Sequence, residues 1–140
     1  MPNRPDYLWL FFKTSGRLSR AAYLLSFMFM VVVVSFPLYQ YMRVMPLDMT
    51  EMAQMAEAPL SGAAQMWSTV FLVTMLAFLW AHIATSIKRV HDVGKPGILV
   101  VLLFIPVVSI VAFLFLCIFR GDPGPNPYGA RTNAPANARD

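Results

Sequence analysis

The chain has 140 residues, 58% of them hydrophobic and 13% charged, against about 25% charged in a typical soluble domain. That balance excludes an ordinary water-soluble globule, and the length leaves room for one domain. The formal charge of +4 does not point to nucleic acid, because the eleven Lys and Arg lie outside three long apolar runs, mostly beside the run ends where membrane topology signals sit.

From the N-terminus, the aromatic stretch YLWLFF just before Lys13 predicts a short interfacial helix over residues 5–13, since amphipathic rings prefer the headgroup level. Ser15 and Gly16 break it, and Ser19 is placed to cap the first apolar run. Residues 21–42 then run for 22 positions without a charge, 18 of them hydrophobic, which as a helix spans about 33 Å and crosses a bilayer core. The run is too long for the apolar part of a secretory signal peptide, and it ends in Tyr-Gln-Tyr-Met-Arg rather than in small residues, so it is expected to stay.

In the segment after it, Met45, Met49, Met52 and Met55 share one helical face opposite Glu51 and Gln54. Soft sulfur ligands select copper(I), but no His or Cys joins them, and an amphipathic helix laying Met on lipid or protein is the simpler expectation. A second crossing is expected over 66–87, with 16 of 22 residues hydrophobic and no formal charge. The third, 98–119, has 20 of 22 hydrophobic, and Pro106 should kink it near its middle. The tail from 130 to 140 has no apolar periodicity and is expected to be disordered. The expected fold class is an all-α membrane protein with three transmembrane helices, its single domain covering residues 1–129.

Positive residues are retained on the cytoplasmic side. Four Lys and Arg in residues 1–20 and three in 88–97 oppose Arg43 and the three arginines from position 120 onward. Seven against four puts the N-terminus inside and, with three crossings, the tail outside.

Three motifs punctuate the chain: GRLSRAAY at 16–23, KRVHDVGKPG at 88–97 and GDPGPNPYG at 121–129. In this order and spacing they resemble the small bacterial membrane proteins grouped as domain of unknown function 805, over nearly the full length. Gly16, Arg17, Arg20, Tyr23, Arg89, His91, Asp92, Gly94, Gly97, Asn126 and Gly129 fall on the family pattern. Leu24, Pro96 and Ile98 depart from it, where the family has tryptophan, serine and tryptophan. The resemblance implies an inner-membrane location and no established activity.

The residues themselves offer little chemistry. His91 and Asp92 are adjacent, so their side chains point apart on a helix, and no nucleophile accompanies them. His82 and His91 with one nearby carboxylate make no metal-ligand pattern, no Gly-rich phosphate loop follows a strand, and the lone Cys117 has no intrachain partner. No enzyme activity, metal or cofactor is therefore expected. Arg17, Arg20, Arg89, His91 and Asp92 are the candidates for binding anionic lipid or a membrane-protein partner, a second copy of the chain included. The alternative function uses the face shared by His82, Thr85, Ser86 and Arg89, as part of a proton- or ion-linked transporter or channel. The lone carboxylate of the 88–97 loop is expected to pair with Arg17 or Arg20 across helices, with Arg89 turned toward His82.

Overall fold

The computed structural model describes residues 6–45 and 61–137. Four α-helices and one 3-10 helix are found among them, with no strand beyond two isolated β-bridges. Of the four methionines between 45 and 55, those at 49, 52 and 55 lie outside the described residues.

Helix α1 is Tyr7–Phe12, capped by Asp6, whose carboxylate accepts from Trp9 N at 2.9 Å. Helix α2, Arg20–Val44, starts on Ser19, whose hydroxyl accepts from Ala22 N at 3.2 Å. Helix α3, Gly62–Asp92, starts in the same way on Ser61. The two long helices have 25 and 31 residues, so they extend about 37 and 46 Å and exceed a membrane core of about 30 Å. Both are long and apolar enough to cross a membrane, and only 28% and 22% of their most apolar stretches is buried. A core helix of a soluble protein would be mostly covered.

Helix α3 continues five residues past the apolar run, so residues 88–92 are helical rather than part of a loop. It ends where Gly94 takes φ +70°, with Gly94 N bonded to His91 O and Lys95 N to Val90 O. This is a Schellman cap, and it requires the left-handed residue that glycine supplies.

The expectation of one kinked helix over 98–119 is corrected. The run forms a 3-10 helix, Gly97–Phe104, then a turn at 105–107, then helix α4, Val108–Ile118. The two arms pack against each other. Gly97 backs onto Ile87 and His91, while the carbonyls of Leu116 and Phe119 return to Arg89. Both ends of the run thus meet the end of α3, and the run is a hairpin. Pro106 has no N–H to lose, and the N–H groups of Ile105, Val108 and Ser109 bond to Leu102, Pro106 and Ile105, so the reversal leaves few donors unpaired.

The chain divides into two compact units, one of Met1–Met28 with Trp80–Asp140 and one of Phe29–Leu79. The core of the first contains Trp9, Leu18, Tyr23, Val90, Val100 and Leu116. In the second, Phe36 and Trp67 meet edge to face at 6.0 Å. There Ser35, Ser68, Thr69 and Thr74 return their hydroxyl hydrogens to carbonyls of their own helices.

Candidate functional site

Because residues 89 and 92 are three apart on one helix, Arg89 and Asp92 share a face, and that face turns inward. Arg89 Nη1 donates to Asp92 Oδ2 at 2.7 Å, and Arg17 Nε donates to Asp92 Oδ1 at 3.1 Å. Thr132 Oγ1 adds a third bond to Oδ1 at 2.7 Å. The three charged side chains are at most 3% exposed.

Two guanidiniums around one carboxylate leave a surplus positive charge, and desolvating it costs several kcal/mol unless dipoles replace water. Backbone carbonyls do so. Arg17 Nη1 donates to Gly124 O at 2.6 Å and to Gly129 O at 3.3 Å, and its Nη2 to Asp122 O at 2.5 Å. Arg89 Nε donates to Leu116 O at 2.7 Å, and its Nη2 to the Phe119 carbonyl. The segment 121–129 therefore owes its path to the Arg17 fork. Gly121 is required at its start, because a methyl group there would overlap the Asp92 carboxylate.

The tail beyond Gly129 departs from the expected disorder, since 130–137 are placed. Arg17 and Ala134 form an antiparallel bridge, Arg17 N donating to Ala134 O at 3.2 Å and Asn133 N to Arg17 O at 2.9 Å. Ser19 N donates to Asn133 Oδ1 at 2.8 Å. Gly16 faces this strap at φ +101°, where any side chain would strike the Ala134 carbonyl.

Lys88, one residue before Arg89, performs a separate task. Its Nζ donates to Trp9 O and Leu10 O at 2.6 Å and to Lys13 O at 2.7 Å. It also lies 4.6 Å from the Trp9 ring centre, a cation–π distance. A fully buried ammonium thus closes the end of α1, whose carbonyls otherwise lack partners. Sequence reasoning counted Lys88 only as a topology charge. The available signal was its spacing, three from Thr85 and four from Asp92, which places it near the inward face.

His91 points elsewhere. Its Nδ1 is 3.3 Å from Gly16 O, and its ring stacks on Tyr128 at 4.0 Å with 3° between planes. Asn126 Nδ2 holds both His91 O and Asp122 Oδ2, at 2.9 and 3.0 Å. Arg20 does not reach Asp92; it is exposed and donates to Ile118 O at 3.1 Å. Nor does Arg89 turn toward His82. That imidazole sits among the rings of Tyr23, Phe27 and Phe113, at 6.3, 5.4 and 6.3 Å. Thr85 bonds back to Ala81 O and His82 O, and Ser86 to Tyr23 OH at 3.1 Å. The stripe is joined to helix and rings by contacts that pack it.

The three sequence motifs therefore converge: Arg17 from the first, Arg89 and Asp92 from the second, carbonyls from the third. The family described as protein of unknown function (DUF805) matches residues 11–130, a stretch that contains all three. The chain belongs to that family. Neither a curated protein nor a solved structure matches it. Within this DUF805 chain, no three His, Cys, Asp or Glu side chains among the described residues group as a metal site requires.

The geometry also revises which cations a lipid can reach. Arg17 and Arg89 are 1% and 0% exposed, and their donors are spent on protein. Lys13, Arg20, Lys95, Arg120 and Arg131 are instead the exposed cations of the same unit.

Proposed function

We propose that this DUF805 protein is a non-enzymatic inner-membrane module that crosses the bilayer twice and meets anionic lipid headgroups through its exposed cations. Its N-terminus and its tail lie on the cytoplasmic side. The observation that carries this reading is the division of the cations into a buried, protein-bonded set and an exposed set.

The hairpin changes the charge count in support. Its arms, 8 residues of 3-10 helix and 11 of α-helix, each extend about 16 Å, roughly half a membrane core. As a re-entrant element the run brings the tail back to the side of the N-terminus. Ten of the eleven Lys and Arg then fall on one side, with Arg43 opposite. Three crossings divide them seven against four, and the positive-inside tendency favours the two-crossing arrangement. Tyr7, Leu8 and Phe12 are exposed on α1, as an interfacial helix requires.

Each surface cation near an anionic leaflet contributes about 1 kcal/mol. The test is thermal unfolding of the detergent-purified protein with added phosphatidylglycerol or phosphatidylcholine. Phosphatidylglycerol should stabilise it more, and replacing Lys13, Arg20, Lys95, Arg120 and Arg131 together by Gln should abolish the difference. Equal stabilisation of the unaltered protein by both lipids rejects the reading.

A further inference from the structure

The hairpin leaves a cleft of about 250 Å³ between its arms and the end of α3. Leu99, Leu102 and Leu103 line it from the 3-10 arm, Ala112 and Phe115 from α4, and Val90 from α3. Its one charged lining residue is Lys95, which is exposed and pairs with no carboxylate among the described residues. Lys95 stands on the capped turn at the end of α3, and Val108 lines the cleft near the hairpin's reversal.

An apolar slot of this kind does not favour water, which needs two to four polar partners, and left empty it forfeits dispersion contacts along its walls. Both arms line it, and each extends about 16 Å, the depth of one leaflet. One end is cationic and the rest is hydrocarbon. We infer that the cleft binds one acyl chain of an anionic glycerophospholipid, with the phosphate against the Lys95 ammonium. This rests on the membrane reading above and adds to it a lipid held in one place, where the surface cations make only exchangeable contacts.

The experiment uses the full chain in phosphatidylglycerol vesicles containing a trace of phosphatidylglycerol with a photoreactive diazirine in mid-chain. After irradiation, label should concentrate on peptides covering residues 99–115. Ala112→Trp and Leu99→Trp fill the cleft from opposite walls, and each should remove that label while leaving the labelling of α2. Lys95→Gln should lower cleft labelling by the phosphatidylglycerol probe and leave that by a phosphatidylcholine probe unchanged. Label spread evenly over the apolar exterior of the unaltered protein, or cleft label that survives both Trp variants, overturns the inference. If phosphatidylglycerol still stabilises the protein over phosphatidylcholine in that case, the bound chain is rejected and the headgroup reading stands. Cleft label without any preference for the anionic lipid rejects the role of Lys95 and the anionic class of the bound lipid, while the headgroup reading stands or falls with the stabilisation by phosphatidylglycerol.

Discussion

The two units satisfy their polar groups in opposite ways. In Met1–Met28 with Trp80–Asp140 many partners are distant in sequence: Arg17 reaches Asp92, Lys88 reaches Trp9, and Ser19 reaches Asn133. In Phe29–Leu79, Ser35, Ser68, Thr69 and Thr74 each bond three or four residues back along their own helix. These helices are long and apolar enough to cross a membrane, and hydrocarbon would offer no water to a stray donor, so local closure suits such a segment. The charged end has another requirement. It must also hold a tail that supplies no residue to the apolar core of that unit, and directional bonds to the tail's carbonyls do this.

The difference is tested most severely at Asp92. Asp92→Ala leaves Arg17 and Arg89 buried without their carboxylate, and the loss should be about 3–5 kcal/mol, the cost of breaking a buried pair from one side. Unfolding in detergent measures it. Adding Arg17→Met to Asp92→Ala should cost less than the sum of the two single changes, because the second removes a charge the first has stranded. Strict additivity would mean that the pair does not couple these motifs.

Lys88→Met comes next. It keeps the apolar stem and removes three charge-assisted donors, so a loss of about 2–3 kcal/mol is expected. The change should be seen first at α1, as a red shift in the emission of Trp9 in a background where Trp67 and Trp80 are Phe. An unshifted spectrum in a destabilised protein would show that Lys88 acts elsewhere.

Legibility in the sequence divides along the same line. The first two long helices could be read because lack of charge over 22 residues is a local property, and Ser19 was readable as a cap from its place before the first of them. The contact of Arg17 with Asp92 followed from placing both motifs at one membrane face. The hairpin was hidden, because 20 hydrophobic residues in 22 describe a straight helix and a folded-back pair equally well. Pro106 marks a lost N–H and not the direction of the bend. The tail was hidden for a different reason. Arg17 binds it through the carbonyls of Asp122, Gly124 and Gly129 and through a backbone bridge at Ala134, and backbone bonds impose no side-chain period on a sequence. Lys88 read as a surface charge because cations beside an apolar run usually are.

The smallest expected effect is also the sharpest comparison, since it makes one chemical change in both regions. Thr→Val removes a hydroxyl and keeps the shape. At Thr74 the hydroxyl donates to Val70 O at 2.7 Å, a carbonyl that a helix already supplies with a backbone partner, so the bond lost is a second one. Thr74→Val should fall within about 0.5 kcal/mol of the unaltered protein, as substitutions away from buried polar networks do. At Thr132 the hydroxyl donates to Asp92 Oδ1, also at 2.7 Å, but its acceptor is a buried carboxylate. Bonds to charged groups contribute about 1.5–3 kcal/mol, and the exposure of Thr132 places Thr132→Val at the lower end of that range. The two distances are the same, so bond length predicts equal losses and the identity of the acceptor predicts unequal ones. Unfolding of the two variants side by side decides between them. Equal losses would mean that the tail is not fastened to the ion cluster through Thr132, and that the bonds of Asn133 and Ala134 to Arg17 and Ser19 hold it.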